Sequence, residues 1–147
     1  MSYNRVRRIN REVEELKAAA AHYWTIERSS TDANIIYVVF KYSPERDELK
    51  NLRVVIEMTA TYPFHPPRIT FIDKIIHPCL DQDSGLFDLY SNGSDWSPAL
   101  TLVTTVITLH SVIYLFDPYC AMVVERTNKF KDELLRKALI PLGDPDF

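Results

Sequence analysis

Cysteine is nearly absent from this chain: Cys79 and Cys120 are the only two in 147 residues. Two cysteines make neither a disulfide framework nor a zinc site, and they fit a reducing cytosol or nucleus, the expected location. Charge of one sign is also lacking. Seventeen Lys and Arg against twenty Asp and Glu give a net charge of −3, with no block of like charge. That excludes an electrostatic footprint for nucleic acid and a polybasic membrane anchor. Long hydrophobic runs are missing too. The most apolar stretch, Ala99 to Phe116, is interrupted by Thr101, Thr104, Thr105, Thr108, His110 and Ser111. It is marginal in length for a membrane span, so a buried helix is expected there. The opening, Met1 to Lys17, is polar and charged and is expected not to be a signal peptide. There is no repeat, low-complexity tract or linker, and nothing marks a metal or cofactor site.

What is present suits one compact domain over residues 1–147. Hydrophobic residues make up 46% and charged residues 25%, enough for a sizeable core. Val6, Ile9, Val13 and Leu16 recur at steps of three and four, the helical period. Arg7, Arg8, Arg11, Glu14, Glu15 and Lys17 take the opposite face. Strands are expected at Tyr23–Glu27, Ile35–Tyr42, Leu52–Thr59 and Arg68–Ile72, from their β-branched and aromatic residues. Ile76 to Ala99, with its His-Pro, Ser-Gly, Asn-Gly and Ser-Pro pairs, predicts a long, mostly irregular segment; such a segment inside a compact domain usually has a function. A helix over Ala99–Phe116 stops at Asp117-Pro118. A last amphipathic helix spans roughly Ala121 to Leu139, with Val123, Phe130, Leu134 and Ala138 toward the core. The order predicts an α+β fold: a four-stranded antiparallel meander, an N-terminal helix and two C-terminal helices packed on one face.

Four landmarks then carry a family resemblance. Tyr62-Pro63-Phe64-His65-Pro66-Pro67 resembles a signature of the ubiquitin-conjugating (E2) family and its UBC fold. His77-Pro78, ten residues after Pro67, resembles the family's His-Pro-Asn motif. Trp96-Ser97-Pro98-Ala99-Leu100 resembles the loop before its long helix, and Arg7-Arg8-Ile9-Asn10-Arg11-Glu12-Val13 its basic opening. The resemblance covers nearly the whole chain. Taken by themselves, the prolines stiffen a strand exit. His77, Pro78 and Trp96 have structural readings as well, holding the loop and the core.

The resemblance implies a cysteine ten residues after the motif's histidine, since a thiolate must accept ubiquitin as a thioester. That count gives Phe87; matching Asp88 to the family's Cys-Leu-Asp gives Leu86 instead. Both are apolar. The run Ser84-Gly85-Leu86-Phe87-Asp88-Leu89 is similar to non-catalytic E2 variants of the Fused-toes type. The family's asparagine, a donor to the oxyanion worth about 3–4 kcal/mol of barrier, is replaced by Cys79. Its acidic gate should fall near Met122, where no carboxylate stands. The Gly-Gly flap between the second and third strands is also missing from Tyr42–Glu48. The resemblance therefore implies an inactive variant that scaffolds by binding an E2, a RING or HECT ligase, or ubiquitin. Its partner surface would be Phe64 with Ser97, Pro98 and Ala99. Arg7, Arg8 and Arg11 resemble the family's contact to the activating enzyme, or are a solvated helix face. Two alternatives stand: a transferase using a displaced thiol, Cys79 or Cys120, and a structural subunit outside the ubiquitin system.

Overall fold

A computed structural model of the protein describes residues 3–19, 23–41, 51–75, 77–114 and 123–125. Helix α1 runs Tyr3–Ala19, then strands β1 Trp24–Arg28, β2 Ile35–Phe40, β3 Leu52–Glu57 and β4 Arg68–Phe71 form a meander in the order β1-β2-β3-β4. All three pairings are antiparallel, with Ile26 opposite Val38, Val38 opposite Val54 and Val54 opposite Phe71. Strand β5, Lys74–Ile75, follows, and helix α2 spans Leu102–Tyr114. The four expected strands are present within one or two residues of the expected bounds, and the α+β class holds.

Alternation along the strands builds the core. Ile36, Val38, Phe40, Leu52, Val54 and Ile56 point to one side and pack with Ile9, Val13 and Leu16 of α1 and Val106, Leu109 and Ile113 of α2. The other side of the sheet holds a buried ion pair. Arg53 Nε and its backbone amide both donate to Asp73 Oδ2 at 2.9 Å, so the pair ties β3 to the turn after β4.

Three expectations need correction. Val6 is 43% exposed, whereas Arg5 and Glu12 are buried on α1 beside Ile9, Val13 and Leu16. The apolar face is thus rotated, because Arg5 buries its stem and donates to the carbonyls of Tyr62, Met58 and Thr59 at 2.8, 3.1 and 2.6 Å. Helix α2 begins at Leu102, not Ala99. Ser97-Pro98-Ala99-Leu100 closes a turn by Leu100 N–H to Ser97 O at 2.9 Å, and Thr101 Oγ1 accepts the amide of Thr104 in the manner of an N-cap. Finally, Val123–Glu125 is not helical: it forms β6, paired antiparallel with β5 through Ile75–Val123 and Lys74–Glu125. The β-branched pair Val123-Val124 suits an extended edge, and pairing overrides the helical period there. The rest of that expected helix, including Phe130, Leu134 and Ala138, lies outside the described residues. So do Asp117-Pro118 and Tyr42–Glu48.

Residues 77–100 are mostly irregular, as expected, with one 3-10 turn at Ser91–Gly93. Isolated bridges join Thr70 to Leu86 and Leu80 to Phe87, so the segment folds back along the edge of β4. Gly85 (φ 78°) and Gly93 (φ 92°) take left-handed backbone in this segment, where a side chain would be strained. No helix among the described residues is long and apolar enough to cross a membrane.

Candidate functional site

The His77-Pro78-Cys79 segment is a turn. Leu80 N–H donates to His77 O at 3.0 Å, and Cys79 N–H donates to His77 Nδ1 at 3.0 Å. Because Nδ1 accepts, the neutral ring carries its proton on Nε2. The turn is stitched to the following chain by Asp88 N–H to Cys79 O at 2.9 Å.

Leu86 and Phe87 alternate as strand residues do. Phe87 N–H donates to Ile69 O at 2.9 Å, which sends its side chain inward. Its ring is 5% exposed, stacked on Phe71 at 5.1 Å and tilted against His77 at 4.8 Å. Leu86 points outward and is 42% exposed. Together they border an open groove of about 530 Å³, whose walls include Pro67, Ile69, Cys79 and Asp88. Cys79 is half-buried and free. Burial pushes its thiol pKa up, and the negative charge of Asp88 pushes it further the same way. That is the opposite of the electropositive setting that makes a thiolate. Cys120 and Met122 lie outside the described residues. Among the described residues, no group of three or more His, Cys, Asp or Glu is placed to hold a metal ion.

The second cluster lies where α1 meets two loops. Phe64 is 75% exposed, and Ser97, Pro98 and Ala99 are all exposed. Trp96 joins the loops from beneath: its Nε1–H donates to Pro63 O at 2.9 Å, and its ring meets Tyr90 at 5.0 Å and Tyr62 at 5.9 Å. The peptide before Pro63 is cis. A cavity of about 510 Å³ opens beside Phe64, bounded by Pro63, Ala60, Asn4, Arg5 and Arg8.

The three arginines separate. Arg7 and Arg11 stay exposed, Arg11 lying 3.7 Å from Glu15. Arg8 does not belong to that wet face: it turns inward, donating to Glu12 at 2.6 Å and to Leu100 O at 2.8 Å. Glu12, which the sequence pattern does not mark, is fully buried. It also accepts the Tyr62 hydroxyl at 2.7 Å and the Leu102 amide at 2.8 Å. Burial, then the hydrogen bond to Glu12, holds the Tyr62 phenol far above its ordinary pKa. The one local sign of this arrangement is a glutamate four residues after an arginine, on the edge of the apolar stripe.

The arrangement of helix, meander, long irregular segment and helix has known relatives. The family model for ubiquitin-conjugating enzymes matches residues 8–137. The chain is 33% identical to ubiquitin-conjugating enzyme E2 1 of Schizosaccharomyces pombe over 123 residues, 80% of this chain and 55% of that protein. It is 30% identical to the human ubiquitin-conjugating enzyme E2 K over 117 residues, 77% of this chain and 58% of that protein. The chain therefore spans about half the length of the curated relatives it matches. Human ubiquitin-conjugating enzyme E2 G1 superposes with a TM-score of 0.59 at 22% identity, covering 70% of this chain and 88% of that one, which speaks to the fold. With the model matching most of its length and the meander and helices in their places, the chain belongs to the ubiquitin-conjugating enzyme family, in the UBC fold.

Proposed function

We propose that this chain is a catalytically inactive member of the family that works by non-covalent binding within the ubiquitin system. The observation that carries the reading is Phe87. At the position counted for the nucleophile stands a buried phenyl ring packed on Phe71 and His77, and the neighbouring Leu86 is an alkyl side chain. Neither can form a thioester. The partner is an E2, a RING or HECT ligase, or ubiquitin. The exposed Phe64 beside Ser97-Pro98-Ala99, over loops held by Trp96, suits a pre-formed protein interface. Cytoplasm or nucleus is the proposed location.

The transferase alternative has one observation in its favour: Cys79 lines the groove beside Phe87. Burial and then the charge of Asp88 raise the pKa of its thiol, which argues against it. One experiment separates the readings. The chain is incubated with activating enzyme, ATP and ubiquitin and run on a non-reducing gel, in parallel with a titration of an isolated RING domain and of ubiquitin followed by amide shifts. The expected result is no DTT-sensitive adduct, with shifts at Phe64 and Ala99. An adduct that disappears in Cys79→Ser or Cys120→Ser would establish the transferase.

A further inference from the structure

Glu12 gathers donors from three separate places. Arg8 Nε on its own helix binds one carboxylate oxygen at 2.6 Å; the Tyr62 hydroxyl and the Leu102 amide both bind the other, at 2.7 and 2.8 Å. A carboxylate enclosed this fully is tolerated only when its oxygens are satisfied, and charge-assisted hydrogen bonds are the strong ones. Each donor has a further meaning. Leu102 is the first residue of α2, where the amide has no acceptor inside the helix, so Glu12 caps α2 from another helix and places negative charge at its positive end. Tyr62 opens the loop that carries Phe64, and Phe64 N–H in turn donates to Thr61 O at 2.8 Å. Arg8 continues the bridge: its Nη2 donates to Leu100 O at 2.8 Å, one residue beyond Ala99, and its guanidinium lies 5.8 Å from the Tyr62 ring.

We infer that Glu12 is the positioning residue of the Phe64 and Ser97–Ala99 surface: it locks the two loops into one unit, so that a change in either is felt in the other. The functional meaning rests on the reading of these loops as a docking surface; the coupling itself does not. Two loops more than thirty residues apart in sequence also meet where Trp96 Nε1 donates to Pro63 O and the Trp96 ring faces Tyr62. Coupling through Glu12 would make the two loops respond together to a partner that touches only one of them, as reciprocal linkage requires.

The test is amide hydrogen exchange on the full chain, in wild type, Glu12→Gln and Tyr62→Phe. Glu12→Gln keeps an acceptor but removes the charge; Tyr62→Phe deletes one hydroxyl and leaves the Trp96–Pro63 tie intact. In Glu12→Gln, the amides of Phe64, Leu100 and Leu102 are expected to exchange at least about tenfold faster together, while Val38 and Val54 in the sheet keep their rates. In Tyr62→Phe, Leu102 is expected to accelerate although the substitution lies forty residues away in sequence. Acceleration of one loop only, or an equal acceleration of loops and sheet, would overturn the inference and leave Glu12 as a residue of global stability. If Glu12→Gln fails to fold, an unchanged Leu102 rate in Tyr62→Phe overturns it just as directly. A RING domain that binds wild type while these rates stay fixed would sink the role of Glu12 and spare the docking surface; coupled loops with no binding would do the reverse.

Discussion

The Phe87 ring lies 4.8 Å from the imidazole of His77, centroid to centroid, and stacks on Phe71 at 5.1 Å with 25° between the ring planes. The two candidate nucleophile positions therefore differ in kind. Phe87 is part of the core, and Leu86 is part of the surface.

Phe87→Cys should lower stability by about 3 kcal/mol, because it empties an aromatic site. Leu86→Cys should stay within about 0.5 kcal/mol of wild type, as surface changes do. Iodoacetamide should label the new thiol of Leu86→Cys rapidly and that of Phe87→Cys slowly in the native state. On the proposal that Cys79 stands where the family's asparagine donor would, neither variant should discharge ubiquitin onto lysine at an appreciable rate. Brisk aminolysis by either one would show that the site is intact apart from its nucleophile.

Trp96→Ala should act through folding. The indole is half-buried against Tyr62 and Tyr90, and its N–H holds Pro63 O. A loss of about 2–3 kcal/mol is expected, less than for a fully buried aromatic. The denaturant midpoint measures it, and an unmoved midpoint would assign Trp96 to an interface instead.

Asp73→Ala should be among the costliest single changes, at about 3–5 kcal/mol, because it strips a carboxylate from the buried Arg53 guanidinium. The double variant Arg53→Met with Asp73→Leu should be closer to wild type than Asp73→Ala. A double variant worse than the single one would mean that the pair contributes more than its desolvation costs.

His110 should give acid sensitivity. Its ring lies among Tyr23, Trp24, Phe40 and Tyr114, with centroids 4.7 to 5.9 Å away, and burial lowers its pKa below the ordinary 6.5. Between the folded pKa and 6.5 the unfolded chain binds the proton and the folded chain does not, so stability falls as pH drops through that window. Above 6.5 the contribution is complete, and below the folded pKa the decline ends. His110→Phe should flatten this part of a plot of midpoint against pH; a plot parallel to wild type would remove His110 as its source.

The class of fold was legible in the order of residues alone, and so was the apolar character of Leu86 and Phe87. Both are properties of residue type and order: alternating β-branched runs make strands, and neither Leu86 nor Phe87 can be a nucleophile in any fold. Which side chains face inward depended on the folded arrangement. Leu86 points out and Phe87 in because Phe87 pairs its amide with Ile69. Val6 is exposed and Arg5 buried because three carbonyls of residues 58–62 meet the guanidinium. Arg8 left the wet face, and Glu12 entered the core, for donors and acceptors 50 to 92 residues away. Val123–Glu125 is a strand because it pairs antiparallel with β5. Periodicity records how a segment would face a uniform apolar surface. A buried charge depends instead on particular partners, and those become neighbours only when the chain has folded.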